Sequence, residues 1–329
     1  WLAGLTFGIA ILTKFSTFLI VPYFLILASI KNKNKLLGTI LIFVIGFVFV
    51  VWPIYYVFTL NYPPERQRAD TEFILGSFGN RTLVNLNVFM ADKPIIRGLA
   101  EYMLGLLMVS QRAVGGNTTY FLGEVSAAGS RYYFPVVYAL KEPLAWWILT
   151  IIAILSIAIK FSIFNFQFSK IRGWIQNHFV EFAMLLWLVI YWTTSIKSNL
   201  NIGVRHLLPT YPFAIILVSG QLSRIRNFIK QKSKKSLTTY YLLLTTLLSW
   251  YLIENLRVWP YYLTYFNQLA SGQTGGYRYI VDSNLDWGQD LRRLSQWVEK
   301  NNVDKIHLDY FGWSDPAYYL GPKVQWLTA

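Results

Sequence analysis

Three cations stand where the sequence could hold an anion at a membrane boundary. Arg205 and His206 are adjacent between two apolar runs, and Lys14 interrupts another apolar run near the start of the chain. A charge at the edge of a hydrocarbon layer is costly, so we expect it to be retained for a partner. The phosphate of a lipid-linked molecule has the right charge and depth. The sequence therefore predicts phosphate binding at Lys14, Arg205 and His206.

A fourth cation, Lys141, lies just before Pro143 and the apolar run that follows it. Proline is favoured in the first turn of a helix, so a helix is predicted to begin there. The start of a helix presents free amides and the positive end of the helix dipole, which is how many proteins receive phosphate. Lys141 is therefore another candidate for phosphate binding.

Structural roles for these cations stay open. Lys14 and Lys141 can extend their ammonium groups to the membrane surface from an apolar or aromatic setting. Arg205 can cap a helix at the interface, and an imidazole such as His206 is often an ordinary helix-end residue. The occurrence of several such cations on one side of the membrane favours a role in binding phosphate.

The composition predicts an α-helical polytopic membrane protein. Hydrophobic residues make up 54% of the chain and charged residues only 14%. A membrane helix needs about 20 mainly apolar residues. The opening residues 1–30 exceed one span, and Lys14 divides them into two short helices that meet at 13–16. Together with the later runs this predicts about seven membrane segments. Those later runs lie near 36–60, 143–160, 181–197, 205–222 and 238–255.

The charge distribution predicts the orientation. Twelve Lys and Arg residues, and no Asp or Glu, occupy the linkers 31–35, 160–172 and 224–235, which are therefore predicted to be cytoplasmic. Most of the net charge of +14 belongs to these linkers, so a nucleic-acid partner is not expected. The four candidate cations then lie on the outer side of the cell membrane, as does the C-terminal tail.

Two domains are predicted. Residues 1–255 form the membrane domain, whose long outer loop 61–142 contains an amphipathic helix near 95–114 that lies on the membrane surface. Residues 256–329 form an extracytoplasmic α/β domain. Its pattern predicts a strand at 277–281, a helix at 287–300 and a strand at 305–310, in a parallel arrangement. One such unit is a poor domain alone, so we expect it to be truncated.

The segment 282–290 is the densest run of polar residues in the chain. Its alternating oxygen side chains resemble a calcium loop, but Gly288 is one place late and Arg293 stands where the closing glutamate would be. A strand-to-helix turn with side-chain caps is the simpler interpretation. The three histidines fall on different segments and cysteine is absent, so no metal, cofactor or disulfide is expected.

Four segments follow one another along the chain: GIAILTK at 8–14, YFP at 133–135 with KEP at 141–143, GVRHLLPTYP at 203–212, and YFN at 265–267 with DSNLDWGQD at 282–290. In this order they resemble bacterial and archaeal members of the protein O-mannosyltransferase-like family, glycosyltransferase family 39. These are C-type glycosyltransferases related to the lipid A aminoarabinose transferases. The likeness extends through nearly the whole chain, and the third and fourth segments are its most specific parts.

The resemblance implies an inverting membrane glycosyltransferase. The enzyme would move a sugar from a polyprenyl-phosphate carrier to a protein, lipid or glycan acceptor on the outer face. Lys14 and Arg205 would hold the carrier phosphate, with His206 and Lys141 as neighbours. The family's catalytic base is a carboxylate in an early outer loop, which would lie upstream of Trp1. We therefore expect this chain to be a C-terminal fragment that lacks its catalytic carboxylate.

Two other classes of function remain open. A transporter or flippase of lipid-linked sugars would also be polytopic and cationic. Transporters usually place charged sites near the bilayer midplane, in both halves of an internal repeat. The sequence shows neither an internal repeat nor a cluster of charges at the midplane. A noncatalytic relative that only binds the carrier lipid would share all the residues considered above. An acidic pair upstream of Trp1 would favour the enzyme.

Overall fold

The structure is a computed structural model that describes residues 1–163 and 171–327. Part of the predicted cytoplasmic linker 160–172 lies outside these residues. The described chain is mostly helical, with two small sheets. By contacts it forms two units, residues 1–117 with 167–200 and residues 118–166 with 201–329. These contact-based units have other boundaries than the predicted division at residue 255. The division into a membrane domain and a tail domain stays a prediction.

The elements in chain order are as follows. The α-helices are α1 (Leu2–Thr13), α2 (Ile20–Lys31), α3 (Lys33–Gly46), α4 (Trp52–Thr59), α5 (Pro64–Ile74), α6 (Arg81–Ala91), α7 (Arg97–Gly115), α8 (Tyr133–Lys141), α9 (Leu144–Ile163), α10 (Ile171–Asn177), α11 (Phe179–Lys197), α12 (Tyr211–Lys232), α13 (Lys234–Val258), α14 (Leu291–Lys300) and α15 (Pro316–Leu320). The strands are β1 (Thr119–Phe121), β2 (Glu124–Ser126), β3 (Ile306–Leu308) and β4 (Val324–Trp326).

Three helices in the described part of the chain are long and apolar enough to cross a membrane. They are the continuous helix Lys33–Thr59, made of α3, a π-helical turn and α4, together with α11 and α13. Helices α8 and α9 add a fourth span only if they form one broken span, because their axes differ by 112°. The predicted count of seven membrane segments is therefore not supported.

The difference in count has two physical causes. The break predicted at Lys14 is confirmed, since this residue is extended with φ −162° between α1 and a short 3-10 turn. The helices on either side have only 10–17 residues and, at about 1.5 Å per residue, do not reach across a hydrocarbon layer of roughly 30 Å. The span predicted at 205–222 begins with the 3-10 turn Val204–Thr210, and α12 then continues into a basic C-terminal half.

The first unit packs α1 against α3 and buries Phe7, Ile11 and Phe43. The segment predicted as an outer loop contains α5, α6 and α7 in this unit, so the predicted helix near 95–114 is confirmed as α7. The surrounding polar groups are tied together, since the buried Arg97 donates to the Gln67 side chain and Gln67 donates to Glu101. Whether α7 lies on a membrane surface stays a prediction.

The second unit contains α8, α9, α12, α13 and the tail. Helices α9, α12 and α13 share an apolar core that includes Leu149, Val218 and Leu247. The polypeptide after α13 continues mainly as short 3-10 turns, namely Tyr262–Thr264, Gln268–Ala270, Gly276–Arg278 and Asp282–Asn284. These turns bring the tail back to α8, and this return creates the site described below.

The α/β pattern of the tail is only partly as predicted. The strand expected at 277–281 is wrong, because the amides of Arg278 and Tyr279 bond locally to the carbonyls three residues earlier and only Ile280 forms a single bridge, to Phe121. The predicted helix is confirmed as α14, although it begins at Leu291. The strand predicted at 305–310 is confirmed as β3, but its parallel partner is β4, with α15 between them.

Candidate functional site

Asn284 connects the two parts of the candidate site, which are helix α8 and the turn that carries Arg205. Its side chain is fully buried, and its Oδ1 accepts a hydrogen bond of 3.1 Å from the Val204 amide, the residue before Arg205. Its Nδ2 donates to the Tyr133 hydroxyl at 2.9 Å. Its backbone carbonyl accepts a 2.7 Å bond from the Lys141 ammonium. One asparagine therefore fixes α8 and the turn that carries Arg205.

Gly203 is required at the start of that turn. Its φ is +114°, a region in which residues with a side chain are strained. A Cβ atom here would lie 2.9 Å from Ser283 Oγ and 3.2 Å from Asn284 Oδ1. Ser283 also donates from its hydroxyl to the Ile202 carbonyl. The absence of a side chain therefore allows the 203–210 segment to lie directly against the 282–284 turn.

Lys141 lies at the C-terminal end of α8 and is buried. Its ammonium donates to the Leu263 carbonyl at 2.6 Å and to the Asn284 carbonyl at 2.7 Å, and it lies 4.2 Å from the centre of the Phe266 ring. These bonds use two of its three N–H donors. In this structure Lys141 therefore links α8 to the tail, and these bonds leave at most one N–H donor for a phosphate.

The neighbouring Glu142 is buried and is also satisfied within the protein. Its carboxylate accepts a hydrogen bond from the Tyr211 hydroxyl at the start of α12, and its backbone carbonyl accepts one of 2.7 Å from Asn267. Asn267 donates further to the Ala139 carbonyl at 2.7 Å. The predicted helix start at Pro143 is confirmed by α9, but the polar groups around it bind each other and the returning tail.

Arg205 differs from Lys141 in its surroundings. It is half-buried in the turn before α12, and its guanidinium carbon lies 4.4 Å from the centre of the Trp287 indole. Within residues 1–163 and 171–327, no carboxylate forms an ion pair with it, and its side chain donates no hydrogen bond to another residue. An indole attracts a cation but leaves all five N–H donors for another acceptor.

His206 follows Arg205 in the same turn and is half-buried. Its amide donates to the Gly203 carbonyl at 3.2 Å, and its imidazole centre lies 6.3 Å from that of Phe134. Arg205, His206 and Lys141 therefore all lie in the second unit and share elements fixed by Asn284. Their role in phosphate binding stays a prediction.

Lys14 belongs to the first unit. It is exposed at the break after α1, and the residue after it, Phe15, packs against Tyr102 and against Gly105 of α7. No ion pair involves Lys14 among the residues that the structure describes. The helix break thus exposes a cation at the end of α1, as the sequence predicts.

The polar segment 282–290 is a turn followed by a helix, so the simpler interpretation is confirmed in part. No strand of the described chain directly precedes the turn, and Asp290 at the start of α14 forms no side-chain cap hydrogen bond. Asp286 accepts a hydrogen bond from the Gly288 amide at 2.8 Å, and Asp290 pairs with Arg293 at 3.2 Å. Within the described residues no group of three or more His, Asp or Glu side chains is placed to hold a metal ion.

A second polar cluster lies at the end of α13. Glu254 is buried and accepts hydrogen bonds from Trp250 at 3.0 Å, from Tyr265 at 3.0 Å and from Gln268. Burial, followed by this bond to Glu254, raises the pKa of Tyr265 above its ordinary value, so its hydroxyl stays protonated and donates. The cluster holds the returning tail against α13.

Several residues of the site were not singled out from the sequence. Asn284 belongs to the polar segment 282–290 and Asn267 to the YFN segment of the resemblance, without a role of their own. Trp287 is predicted as the start of a helix that begins only at Leu291. Buried asparagines at turns are ordinary caps in most sequences, so their type alone does not reveal a central role. The close backbone approach at Gly203 is a signal that only the folded chain supplies.

Comparison with known proteins gives no relative: no family model matches the chain, and no curated protein and no solved structure is significantly similar to it. The chemistry of the site therefore rests on its own geometry. A half-buried guanidinium that pairs with no carboxylate in the described part of the chain, next to an exposed indole, is suited to bind an anion that also has an apolar part.

Proposed function

We propose that the protein is a membrane glycosyltransferase that takes its sugar from a polyprenyl-phosphate carrier and transfers it to an acceptor on the outer face. The observation that carries this proposal is Arg205, a half-buried cation that no carboxylate pairs with in the described chain. The resemblance of the segments around Arg205 and 282–290 to the protein O-mannosyltransferase-like family supports the same function.

The physical argument concerns the cost of desolvating a charge. A guanidinium near apolar surroundings loses hydration, and an ion pair or hydrogen bonds normally compensate for that loss. Within the described chain Arg205 has only the indole of Trp287. A phosphate would provide two oxygens in the geometry that a guanidinium prefers. The site is therefore better suited to a bound phosphate than to an empty state.

The same group would assist the reaction. When the bond between the sugar and the phosphate breaks, negative charge accumulates on the carrier phosphate. A cation already held in place stabilises that charge without having to reorganise. Arg205 would supply this stabilisation, while Lys141 and Asn284 would position its turn. His206 and Lys14 stay candidates for further contacts to the carrier.

The proposal is tested by transfer of labelled sugar from polyprenyl-phosphate donors in membrane vesicles that contain the full-length protein. We expect transfer by the wild type and a large loss with Arg205→Ala. Arg278→Ala is a matched control, because Arg278 also lies over an aromatic ring, that of Tyr277 at 5.8 Å, but is exposed. Equal activity of wild type and Arg205→Ala would reject the phosphate role. No transfer from any donor would reject the enzyme and favour a transporter or a carrier-binding protein.

A further inference from the structure

Two aromatic rings of the tail are exposed next to Arg205. Trp287 is 51% exposed and Phe311 is 69% exposed. The two rings are nearly parallel, with an interplanar angle of 21° and 6.0 Å between their centres. Large aromatic side chains are normally buried, so a pair that is ordered in solvent often marks a binding surface. We call these two rings the aromatic platform.

The platform is held in place by its backbone. Gly288, with φ +80°, lies so close to Gly312 that a Cβ on Gly288 would be 2.8 Å from the Gly312 Cα. The Tyr310 hydroxyl donates to the Gly288 carbonyl at 2.9 Å. These contacts join the residues that follow Trp287 to those on either side of Phe311. The two rings are therefore pre-organised, and a ligand would not have to order them.

The position of Arg205 narrows the chemistry of a ligand. Its guanidinium lies over the Trp287 ring, 4.4 Å from the ring centre, so it already covers one face of the indole, and an anion bound to it would lie next to the rest of the platform. A ligand that satisfies both features has a negative group directly attached to a ring with an apolar face. One face of a pyranose ring carries mainly C–H groups and packs against aromatic faces. A sugar linked to phosphate therefore matches the pair in both charge and shape.

We propose that Trp287 and Phe311 bind the sugar ring of the donor whose phosphate is held by Arg205. This inference rests on the proposed function and assigns the sugar subsite to the tail. An acceptor glycan or a lipid headgroup would be the competing occupants of the same surface. The donor is favoured because its sugar is bonded directly to its phosphate, and the platform likewise lies directly next to the guanidinium.

The test compares binding of short carrier analogues to the purified full-length protein in lipid nanodiscs. The probes are citronellyl phosphate and its esters with mannose, glucose, galactose, N-acetylglucosamine and arabinose, and titration calorimetry gives the dissociation constants. We expect one ester to bind the wild type more tightly than citronellyl phosphate does. Phe311→Ala should weaken that ester by about tenfold, as loss of a stacking contact of about 1.4 kcal/mol would, and leave citronellyl phosphate nearly unchanged. Trp287→Ala also removes the ring that Arg205 contacts, so it should weaken both ligands, and the ester more than citronellyl phosphate.

Control variants separate this inference from the proposed function. Trp297→Ala removes a tryptophan of similar exposure, 54%, from α14 and should change neither affinity. Arg205→Ala should weaken the ester and citronellyl phosphate alike. If Arg205→Ala weakens both ligands but the platform variants have no selective effect, the sugar subsite is overturned while the phosphate site stands. If Arg205→Ala weakens neither, the phosphate role itself fails.

Discussion

Lys141 and Arg205 are two cations of the same unit with opposite environments. Both depend on Asn284, whose backbone carbonyl accepts a bond from Lys141 and whose side chain fixes the residue before Arg205. Lys141 is buried and bonds two carbonyls, whereas Arg205 is half-buried, lies over an indole and, in the described part of the chain, forms no ion pair. The comparison teaches that two cations predicted to bind the same ligand can have different environments. Lys141 forms hydrogen bonds that hold the fold together, whereas the N–H donors of Arg205 bond to no residue in the described chain.

The largest expected effect is that of Lys141→Ala on stability. The substitution leaves the Leu263 and Asn284 carbonyls without their donor. We expect a loss of about 3–5 kcal/mol in unfolding free energy, since each buried acceptor left without a hydrogen bond costs about 1–3 kcal/mol and the packing of the lysine stem is lost as well. Thermal unfolding in detergent measures this effect. Lys141→Met, which keeps the apolar stem, should be destabilised as well, and a wild-type melting temperature in both variants would contradict the structural role.

Arg205→Ala should affect activity and leave stability nearly unchanged. We expect transfer to fall about 100-fold, equivalent to about 2.7 kcal/mol of transition-state stabilisation. The melting temperature should stay close to that of the wild type, because no described hydrogen bond of its side chain is lost. Initial rates at saturating donor, measured with melting curves on the same preparations, provide the comparison. A loss of stability as large as that of Lys141→Ala would remove the distinction between the two cations.

Gly203→Ala tests the contact that Lys141 and Arg205 share. The new Cβ would be strained at φ +114° and would approach Ser283 Oγ, so we expect a loss of about 2 kcal/mol. Gly220→Ala is the matched control, because a Cβ at Gly220 of α12 meets open space. Alanine favours a helix interior, so this control should be neutral or slightly stabilising. Denaturation curves of the two variants measure the difference, and equal curves would show that Gly203 is not constrained.

The smallest expected effect is the pH dependence contributed by Glu101 in the first unit, a carboxylate that is only partly compensated. Burial is the main cause that raises its pKa above the usual range for Glu, and the bond from Gln67 opposes the shift. The native state therefore holds this proton to higher pH than the unfolded state does. Stability should fall as pH rises from the ordinary pKa of Glu through the raised one. Melting temperatures across this pH range should be flatter for Glu101→Gln.

Asp92 provides the opposite control for the pH experiment. Hydrogen bonds from Lys93 and then from Arg68 lower its pKa below the usual range. Its contribution to stability should therefore be present above the ordinary pKa and disappear as pH falls through the lowered one. Asp92→Asn should reduce the loss of stability at acid pH. Identical pH profiles for wild type, Glu101→Gln and Asp92→Asn would show that neither carboxylate is linked to folding.

Some parts of the fold could be predicted because they depend on local sequence. The long apolar runs became helices, and Lys14 ended α1 where expected. The number of spans was wrong because apolar composition does not report where a helix starts, and the turn at Val204–Thr210 shortens the run that contains Arg205. The strand predicted at 277–281 was also wrong, since its backbone bonds locally and has no neighbouring strand over most of its length.

The sequence by itself determined that the chain is apolar, helical and basic, and that Arg205 and Lys141 lie beside apolar runs, because these properties follow from residue type and spacing. Only the tertiary structure decided that the tail returns to α8 and supplies carbonyls to Lys141 but an exposed indole to Arg205. The physical reason is that the partner of a charge is set by long-range packing. Residues 141 and 284 are distant in sequence, and no local pattern encodes their contact.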